Sequence, residues 1–593
     1  MKKLHRRPPQ AEIRSWQNSM RYVKDALEVA QAPDDAQVAI EYQIPQSSKR
    51  VDFLISGTDN DGRESLVIVE LKQWETVQPT AKDAIVRSFV GGGMRDLTHP
   101  SYQAWTYAAL IQDYNVAVQT GDIALHPCAY LHNCRDEGIL NASFYEKHTR
   151  RAPVFLKEDV EQLASFLARH VRHGDQNKTL YRIENSRIHP SKELADHLAS
   201  LIKGNREFLM IDDQKVVYET ALEAATSASS GQKQVLLIEG GPGTGKSVVA
   251  INLLVELTTR GKTAQYVTRN AAPRAVYEAK LAGTLTKTRI TNLFKNSGAY
   301  VGSKTNELDC LIVDEAHRLN EKSGLFQNQG TNQIAEIINA AQMSVFFLDQ
   351  DQRVTIKDIG DRDEIRRHAL AAGAQLTTLE LASQFRCNGS DGYLAWINNT
   401  LQVEETANKT LSGVDYDFRV LDNPNDLRQL IEDRNTTSTK ARLLAGYCWD
   451  WKGKKDPNVV DVRLPEHGFE MRWNLDQDGP LWILSPDSVS EVGCIHTCQG
   501  LELDYVGVII GRDLMVRGDA VVTDAAERSS QDRSIHGYKK LLAENPSRAK
   551  ELADRIIKNT YRTLMTRGQK GCYVFCVDEE TNAYFKRVSD RSA

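Results

Sequence analysis

The chain has 593 residues, 41% hydrophobic and 26% charged, with a formal net charge of −5. At roughly 150 residues per domain this length holds about four domain-sized units with ample material for several cores. A wholly basic nucleic-acid binder is excluded, but a local basic groove is not, because a summed charge hides asymmetry. Apolar runs such as Val235–Ile238 and Val506–Ile510 fall far short of the ~18 residues a membrane span needs. The basic start, MKKLHRRPPQ, has no apolar segment behind it and does not read as a secretion signal. The nine cysteines form no C-x-x-C pair, so buried reduced thiols in a cytoplasmic protein are expected rather than a disulfide framework or a zinc ribbon.

Residues 38–44 (VAIEYQI) and 51–55 (VDFLI) read as short strands around the polar turn PQSSKR, and Ser65–Leu71 reads as a third, more buried strand. Asp52 lies on the second strand, and Glu70 and Lys72 lie at the end of the third. Two carboxylates on adjacent strands can hold Mg²⁺ through oxygen ligands, and such a metal activates water and stabilises charge on a phosphate. Glu70 and Lys72 are two apart on a strand and share a face. Lys72 is thereby placed to orient a water or to neutralise charge developing on the phosphate. The tripeptide alone also describes a surface salt bridge. Further on, Gln103 and Tyr107 stand four apart on a helical stretch, again on one face. Asp52, Glu70, Lys72, Gln103 and Tyr107, in this order, resemble the PD-(D/E)XK nucleases of the RecB-like type over about residues 10–150. Val51-Asp52 replaces the proline–aspartate of that family's name. The resemblance implies a Mg²⁺-dependent nuclease, with Mn²⁺ as a substitute, in which Gln103 and Tyr107 flank the metal site and contact substrate. Glu12, Glu28 and Glu41 are candidates for an additional acid, and Glu41 reads as well as a strand-edge surface charge.

A helical stretch follows over 157–210, broken by the polar piece HGDQNKTLYRIENSRIHPS, the expected inter-domain boundary. His170 and His173 read there as solvated or capping residues. Then Gly240, Gly241, Pro242, Gly243, Thr244, Gly245, Lys246 and Ser247 fit the phosphate loop in full, between the apolar strand Val235–Glu239 and an apolar helix. The backbone N–H groups of such a loop wrap the β-phosphate at the positive end of the following helix. Lys246 is expected to reach the β- and γ-phosphates and Ser247 to bind Mg²⁺. The apolar strand LDCLIV (308–313) runs into Asp314 and Glu315. Asp314 is expected to hold Mg²⁺ through water, and Glu315 to act as general base on the attacking water.

A GTPase should carry Asn-Lys-x-Asp, and Asn177-Lys178 and Asn408-Lys409 lack the aspartate. More polar signatures follow, each bounded by strands. In order they resemble the superfamily 1 helicases: Thr268-Arg269-Asn270 as motif Ia, Asp349-x-x-Gln352 as motif III, Gln384-x-Arg386 as motif IV, His496-Thr497-x-Gln499-Gly500-x-Glu502 as motif V, and Thr566-Arg567 as motif VI. Gln214 stands where the adenine-reading glutamine is expected. More narrowly, FLMIDDQKVVYE, GGPGTGKSVVA, NAAPRAVYEAKL and YRTLMTRGQKG resemble the Schlafen group 3-like DNA/RNA helicase domain over about residues 155–590. Bacterial members of that family fused to a nuclease include anti-phage nuclease-helicases.

The resemblances imply an α/β protein: a PD-(D/E)XK nuclease domain (1–155), a helical connector (156–210), and two RecA-like P-loop helicase domains (211–378 and 379–593, the second with an inserted segment). ATP is expected between the two motor domains. Arg386 and Arg567 would supply charge to its γ-phosphate, Gln352 would link the nucleotide to the bound strand, and Glu502 and Gln214 would complete nucleotide binding. The partner is nucleic acid, DNA before RNA. The other readings are an ATP-switched sensor that binds without cutting and an RNA-directed nuclease. A homo-oligomer or a partner protein leaves no mark in the sequence. Trp449, Trp451, Trp473 and Trp482 read mainly as core, with base stacking as the other use, and KGKK (452–455) reads as a phosphate contact or a solvated turn.

Overall fold

The strands Gln37–Gln43, Arg50–Thr58 and Glu64–Leu71 pair into an antiparallel meander, the second and third buried over most of their length. The last of these also pairs in parallel with Ala124–Leu131, which pairs in parallel with Val154–Leu156, giving a five-stranded sheet in that order. The computed structural model describes residues 10–590 except 45–46, 48, 136–137, 187–209, 230, 282–285, 325–327, 385–390, 413, 415, 439, 457, 476–478 and 499–502. One face of the sheet buries Phe53, Ile55, Val67, Val69, Cys128 and Tyr130 beneath the helices Gln10–Val29 and Val160–His170. The helix Pro100–Tyr114, capped by the His99 ring accepting from the Ser101 N–H, carries Gln103 and Tyr107. A small three-stranded sheet, Val77–Pro79, Ile85–Val90 and Gly93–Thr98, precedes it.

The chain divides into two units, one formed by residues 7–193 and 206–223, the other containing 224–593. The first reaches beyond residue 155, where the sequence reading places a connector. Leu163, Ala164 and Leu167 are buried in the same core as the sheet, and Asn115 Nδ2 donates to Ile183 O at 2.8 Å. His170, in the last turn of its helix, is half-buried and its ring stacks on His126 at 3.6 Å between centroids, while His173 is exposed. The connector's second half falls outside the described residues, and the chain then returns to the first unit over 206–223.

The second unit contains two parallel sheets. The first runs in the order Phe294–Lys295, Ala264–Val267, Leu308–Val313, Ala341–Leu348, Gln234–Gly240, Gln375–Leu381, every neighbour parallel. Its inner strands read as continuous apolar runs because helices cover both faces. The strand Gln375–Leu381 lies beside Gln234–Gly240 in register over its whole length. The first parallel-sheet domain therefore extends past residue 378, and Gln384 follows its last strand rather than opening the second. The second sheet runs Asp417–Val420, Gly568–Cys576, Leu503–Ile510, Ala441–Ala445, Glu491–Gly493, Phe469–Trp473, Val462–Leu464, parallel up to its final antiparallel pair. Val354 packs in the second sheet's core, Ile356 N donates to Ser534 O, and Asn559 Nδ2 donates to Arg353 O. These contacts join the two sheets within one unit.

Arg528 is fully buried between Asp513 and Asp532, which neutralise it from two sides. Trp473 and Trp482 are buried, and Trp449 and Trp451 pack partly buried against the Trp473 cluster, so the tryptophans are core as read. Every cysteine among the described residues is a free thiol, and all but Cys448 are buried. No described helix is long and apolar enough to cross a membrane. Trp482 also donates Nε1–H to Glu491 Oε2 at 2.8 Å. Trp482→Ala is expected to lower the stability of the second unit by ~3–5 kcal/mol, as buried Trp truncations do. Denaturant unfolding followed by far-UV circular dichroism reads the shift.

Candidate functional site

Parallel strands end their carbonyl edges on one side, where open α/β sheets bind ligands. Four strands of the second unit's first sheet deliver polar residues to that edge. Gln234–Gly240 leads into the phosphate loop, Leu308–Val313 into Asp314 and Glu315, Ala341–Leu348 into Asp349 and Gln352, and Gln375–Leu381 into Gln384. Within the loop, Gly245 sits at φ +85°, a left-handed angle that favours glycine, and forms the N-cap of the helix Lys246–Thr259. Gly240 has its own reason: a Cβ there would meet Thr244 Oγ1 at 2.6 Å.

Lys246 Nζ donates to Gly240 O and Gly241 O, both at 2.7 Å, and lies 3.8 Å from Asp349 Oδ2. Ser247 Oγ donates to Asp314 Oδ2 at 2.6 Å, and the Tyr266 hydroxyl donates to the same oxygen. Glu315 occupies a left-handed backbone angle, φ +54°, and its Oε2 lies 3.0 Å from His317 Nε2. Burial raises the Asp314 pKa, and the adjacent Glu315 adds to this. Burial also acts upward on Glu315, but His317, Lys246 and Arg567 outweigh it and hold that carboxyl well below the usual range. Glu315 is therefore ionised, as a proton acceptor must be. The seryl hydroxyl and the Asp314 carboxylate, meeting at one point beside the loop lysine, form an oxygen donor set that suits Mg²⁺.

Arg567 precedes the strand Gly568–Cys576 of the second sheet and is 1% exposed. Its Nη2 donates to Gln352 Oε1 at 3.4 Å, while Gln352 Nε2 donates to Asp349 Oδ2 at 2.9 Å. A polar chain thus runs from Lys246 through Asp349 and Gln352 to Arg567, and Arg567 acts electrostatically on Glu315. Gln384 Nε2 donates to Pro242 O at 2.5 Å, on the phosphate loop itself. Arg269 lies deeper: its guanidinium donates to Arg318 O, Asn320 Oδ1 and Asp358 Oδ1 and so ties together the segments that follow Glu315 and Gln352. Arg386, Gln499 and Glu502 lie outside the described residues. Gln214 belongs to the other unit, where it is buried and its Oε1 accepts from Ile211 N at 3.4 Å.

In the N-terminal unit, the strands bring Asp52, Glu70 and Lys72 together. Asp52 Oδ2 accepts from Leu71 N at 2.7 Å, and Lys72 Nζ pairs with Glu70 Oε1 at 2.7 Å. Gln103 Nε2 donates to the Tyr107 hydroxyl at 2.8 Å, which donates to Asp212 Oδ2 at 2.8 Å. Lys49 Nζ lies 2.9 Å from that same oxygen. A cavity of about 330 Å³ opens here, lined by Asp52, Lys72, Gln73, Trp74 and Phe89. Burial raises the Asp52 pKa against the pull of Lys72. Glu70 is pushed up to about 8 by burial and by Asp52. Burial alone would lower Lys72, but the Glu70 and Asp52 carboxylates raise it. Glu70 Oε2 is buried without a hydrogen-bond partner, an oxygen left over for a cation. Asp52 and Glu70 therefore fit a hard divalent ion, although among the described residues no three His, Cys, Asp or Glu side chains are gathered at ligand distance.

Of the further acids read from sequence, Glu28 pairs with Lys24 in solvent, and Glu41, at φ +56° in a break of the strand register, lies 4.0 Å from Arg50. The side chain of Glu12 is outside the described residues. Sequence reasoning passed over Lys49 and Asp212. Lys49 sits in a polar turn and Asp212 is 105 residues from Tyr107, so only tertiary folding reveals them.

The model of the Schlafen group 3, DNA/RNA helicase domain matches residues 233–578, more than half the chain. The chain belongs to this family. An uncharacterized protein of Saccharomyces cerevisiae (strain ATCC 204508 / S288c), YPL245W, is 23% identical over 394 residues, 60% of this chain and 85% of that one. A DEAD box protein from the hyperthermophile Methanococcus jannaschii aligns at 10% identity and a TM-score of 0.23, over 62% of this chain and 88% of its own. The Sulfolobus solfataricus SWI2/SNF2 ATPase core in complex with dsDNA aligns at 10% identity and 0.20, over 60% and 96%. Scores this low carry nothing further.

Because the Glu70 pKa is raised from 4.5 to about 8 on folding, the stability it contributes is full below pH 4.5 and is lost as pH rises through about 8. In chelator-containing buffer the unfolding midpoint of the wild type is expected to fall across this window, and Glu70→Gln to flatten that fall. Thermal unfolding across the pH series reads it.

Proposed function

We propose that the chain is an ATP-dependent superfamily 1 helicase or translocase coupled to a Mg²⁺-dependent nuclease of the PD-(D/E)XK type, acting on DNA in defence against phage. The observation that carries the motor reading is the convergence on one edge of Lys246, Ser247, Asp314 and Glu315 from the first sheet with Arg567 from the second. In this reading Lys246 binds the β- and γ-phosphates, and Ser247 and Asp314 hold Mg²⁺, which screens phosphate charge. Ionised Glu315 accepts the proton of the attacking water. Arg567 supplies positive charge where the transition state needs it. The Asp349–Gln352–Arg567 chain spans the two motor sheets, so a change at the γ-phosphate moves one sheet against the other and with it a bound strand.

The nuclease reading rests on Asp52 and Lys72 lining a cavity, with Glu70 paired to Lys72 and Gln103 bonded to Tyr107 in the same unit. Asp52 and Glu70 would hold Mg²⁺ or Mn²⁺, which polarises a phosphate and lowers the pKa of water. Lys72 neutralises charge developing on the phosphate. Trp74 and Phe89 line the cavity beside them and offer faces on which bases stack. Defence against phage follows only from the family resemblance and stands or falls with DNA cleavage.

Lys246→Ala is expected to abolish ATP hydrolysis, and Arg567→Ala to slow it by ~10³-fold or more with nucleotide still bound. Turnover at the wild-type rate in either variant contradicts the motor reading. Asp52→Ala and Lys72→Ala are each expected to abolish Mg²⁺-dependent cleavage and leave ATP hydrolysis unchanged. Single- and double-stranded DNA and RNA, incubated with and without ATP and resolved on gels, provide the test. Wild-type protein that cuts none of them contradicts the nuclease reading.

A further inference from the structure

Ser19 and His132 stand 113 residues apart in the chain, and the fold of the N-terminal unit brings them together. Ser19 lies on the helix Gln10–Val29, and His132 directly follows the strand Ala124–Leu131. That strand runs parallel to Glu64–Leu71, and Lys72 N donates to Tyr130 O at 3.0 Å, so the two strands end side by side. The residues just past the two ends, Gln73 and His132, both reach Ser19. Its Oγ lies 3.0 Å from His132 Nε2, and Gln73 Nε2 donates to it at 3.0 Å. The His132 ring also stacks on Tyr22, one helical turn on from Ser19, at 4.4 Å between centroids. Ser19 and His132 are only 6% and 1% exposed.

The hydrogen bonds give this chain a direction. Asn133 Nδ2 donates to Gln73 O at 3.4 Å, which leaves Asn133 Oδ1 facing His132 Nδ1 at 3.2 Å. An amide oxygen only accepts, so Nδ1 carries the ring proton and Nε2 the lone pair. The Ser19 hydroxyl therefore donates to Nε2, in keeping with its acceptance from Gln73. Burial lowers the His132 pKa and so favours the neutral ring. A hydroxyl held on a neutral imidazole, whose far nitrogen is oriented by a third group, is an arrangement that accepts protons. A hydroxyl has one proton and two lone pairs. His132 takes the proton and Gln73 one lone pair. Ser19 lines the same cavity as Asp52, Lys72 and Gln73, where its second lone pair can meet a water.

We propose that Ser19 and His132 accept the proton of the water that attacks a phosphodiester in this cavity. This rests on the nuclease reading above and supplies what that reading lacks, a group that takes the water's proton. The water gives its proton to Ser19 Oγ as the Ser19 proton passes to His132 Nε2. The water oxygen bonds to phosphorus, the P–O bond to the leaving nucleotide oxygen breaks, and that oxygen takes a proton from solvent. The imidazolium, its Nδ1–H still on Asn133 Oδ1, then returns its proton through Ser19 to solvent. Ser19 touches the reacting water, whereas His132 acts through it and is a positioning residue.

The test is single-turnover cleavage by the full-length protein with Mg²⁺, on fluorescein-labelled single- and double-stranded DNA and RNA. Binding of the same strands is measured by anisotropy in chelator. The arms are wild type, Ser19→Ala, Ser19→Thr, His132→Gln and Asp52→Ala. His132→Gln keeps an acceptor for the Ser19 hydroxyl but cannot hold its proton. Ser19→Ala and His132→Gln are each expected to cut at least ~100-fold more slowly with binding unchanged, and Ser19→Thr to recover most of the rate. If Ser19→Ala or His132→Gln cuts at the wild-type rate, or loses cleavage only in proportion to binding, while Asp52→Ala is inactive, the relay is overturned and the nuclease reading survives. If the wild type cuts none of the four nucleic acids, or Asp52→Ala cuts undiminished, the relay and the nuclease reading fall together.

Discussion

A buried carboxylate must be paid for in partners, and the motor unit is organised around two of them. Asp314 and Glu315 sit at the end of an interior parallel strand, 4% and 9% exposed, where a bare charge would be costly. Their environment answers with Ser247, Tyr266, Lys246 and His317 from the first sheet and Arg567 from the second. The same groups that make the pair tolerable in the fold are those a phosphate-cleaving site needs.

The N-terminal unit repeats the theme with lysines as the neutralising groups. Asp52, Glu70 and Asp212 are balanced by Lys72 and Lys49, and two carboxylate oxygens remain unmatched. The motor edge has a histidine and an arginine to hold Glu315 ionised, whereas in the N-terminal unit Glu70 is pushed the other way, toward its protonated form.

Local sequence carried most of the motor. The phosphate loop and the acidic pair are contiguous with strands whose apolar runs announce burial on both faces, and so their placement was legible. Gln103 and Tyr107 were legible for the same reason, being four apart on one helix. What was not legible depended on pairing between distant segments. The in-register strand Gln375–Leu381 moves Gln384 into the first motor domain, where it touches Pro242. The helix Val160–His170, expected as a connector, closes the core of the N-terminal unit. Asp212 reads locally as an ordinary helix-start acid, and only the fold shows it beside Tyr107 and Lys49. The mild overall acidity likewise says little about partners, since the charges that matter are buried in small neutralised groups.

The central claim is that the cluster around Asp314 and Glu315 hydrolyses ATP in step with movement along nucleic acid. The rate of ATP hydrolysis by the full-length wild type, measured with and without saturating single-stranded DNA or RNA of mixed sequence, tests it most directly. The account predicts a rate that rises severalfold or more when the strand is added and falls back as salt displaces it. A rate that no nucleic acid changes, or no hydrolysis at all, would contradict it.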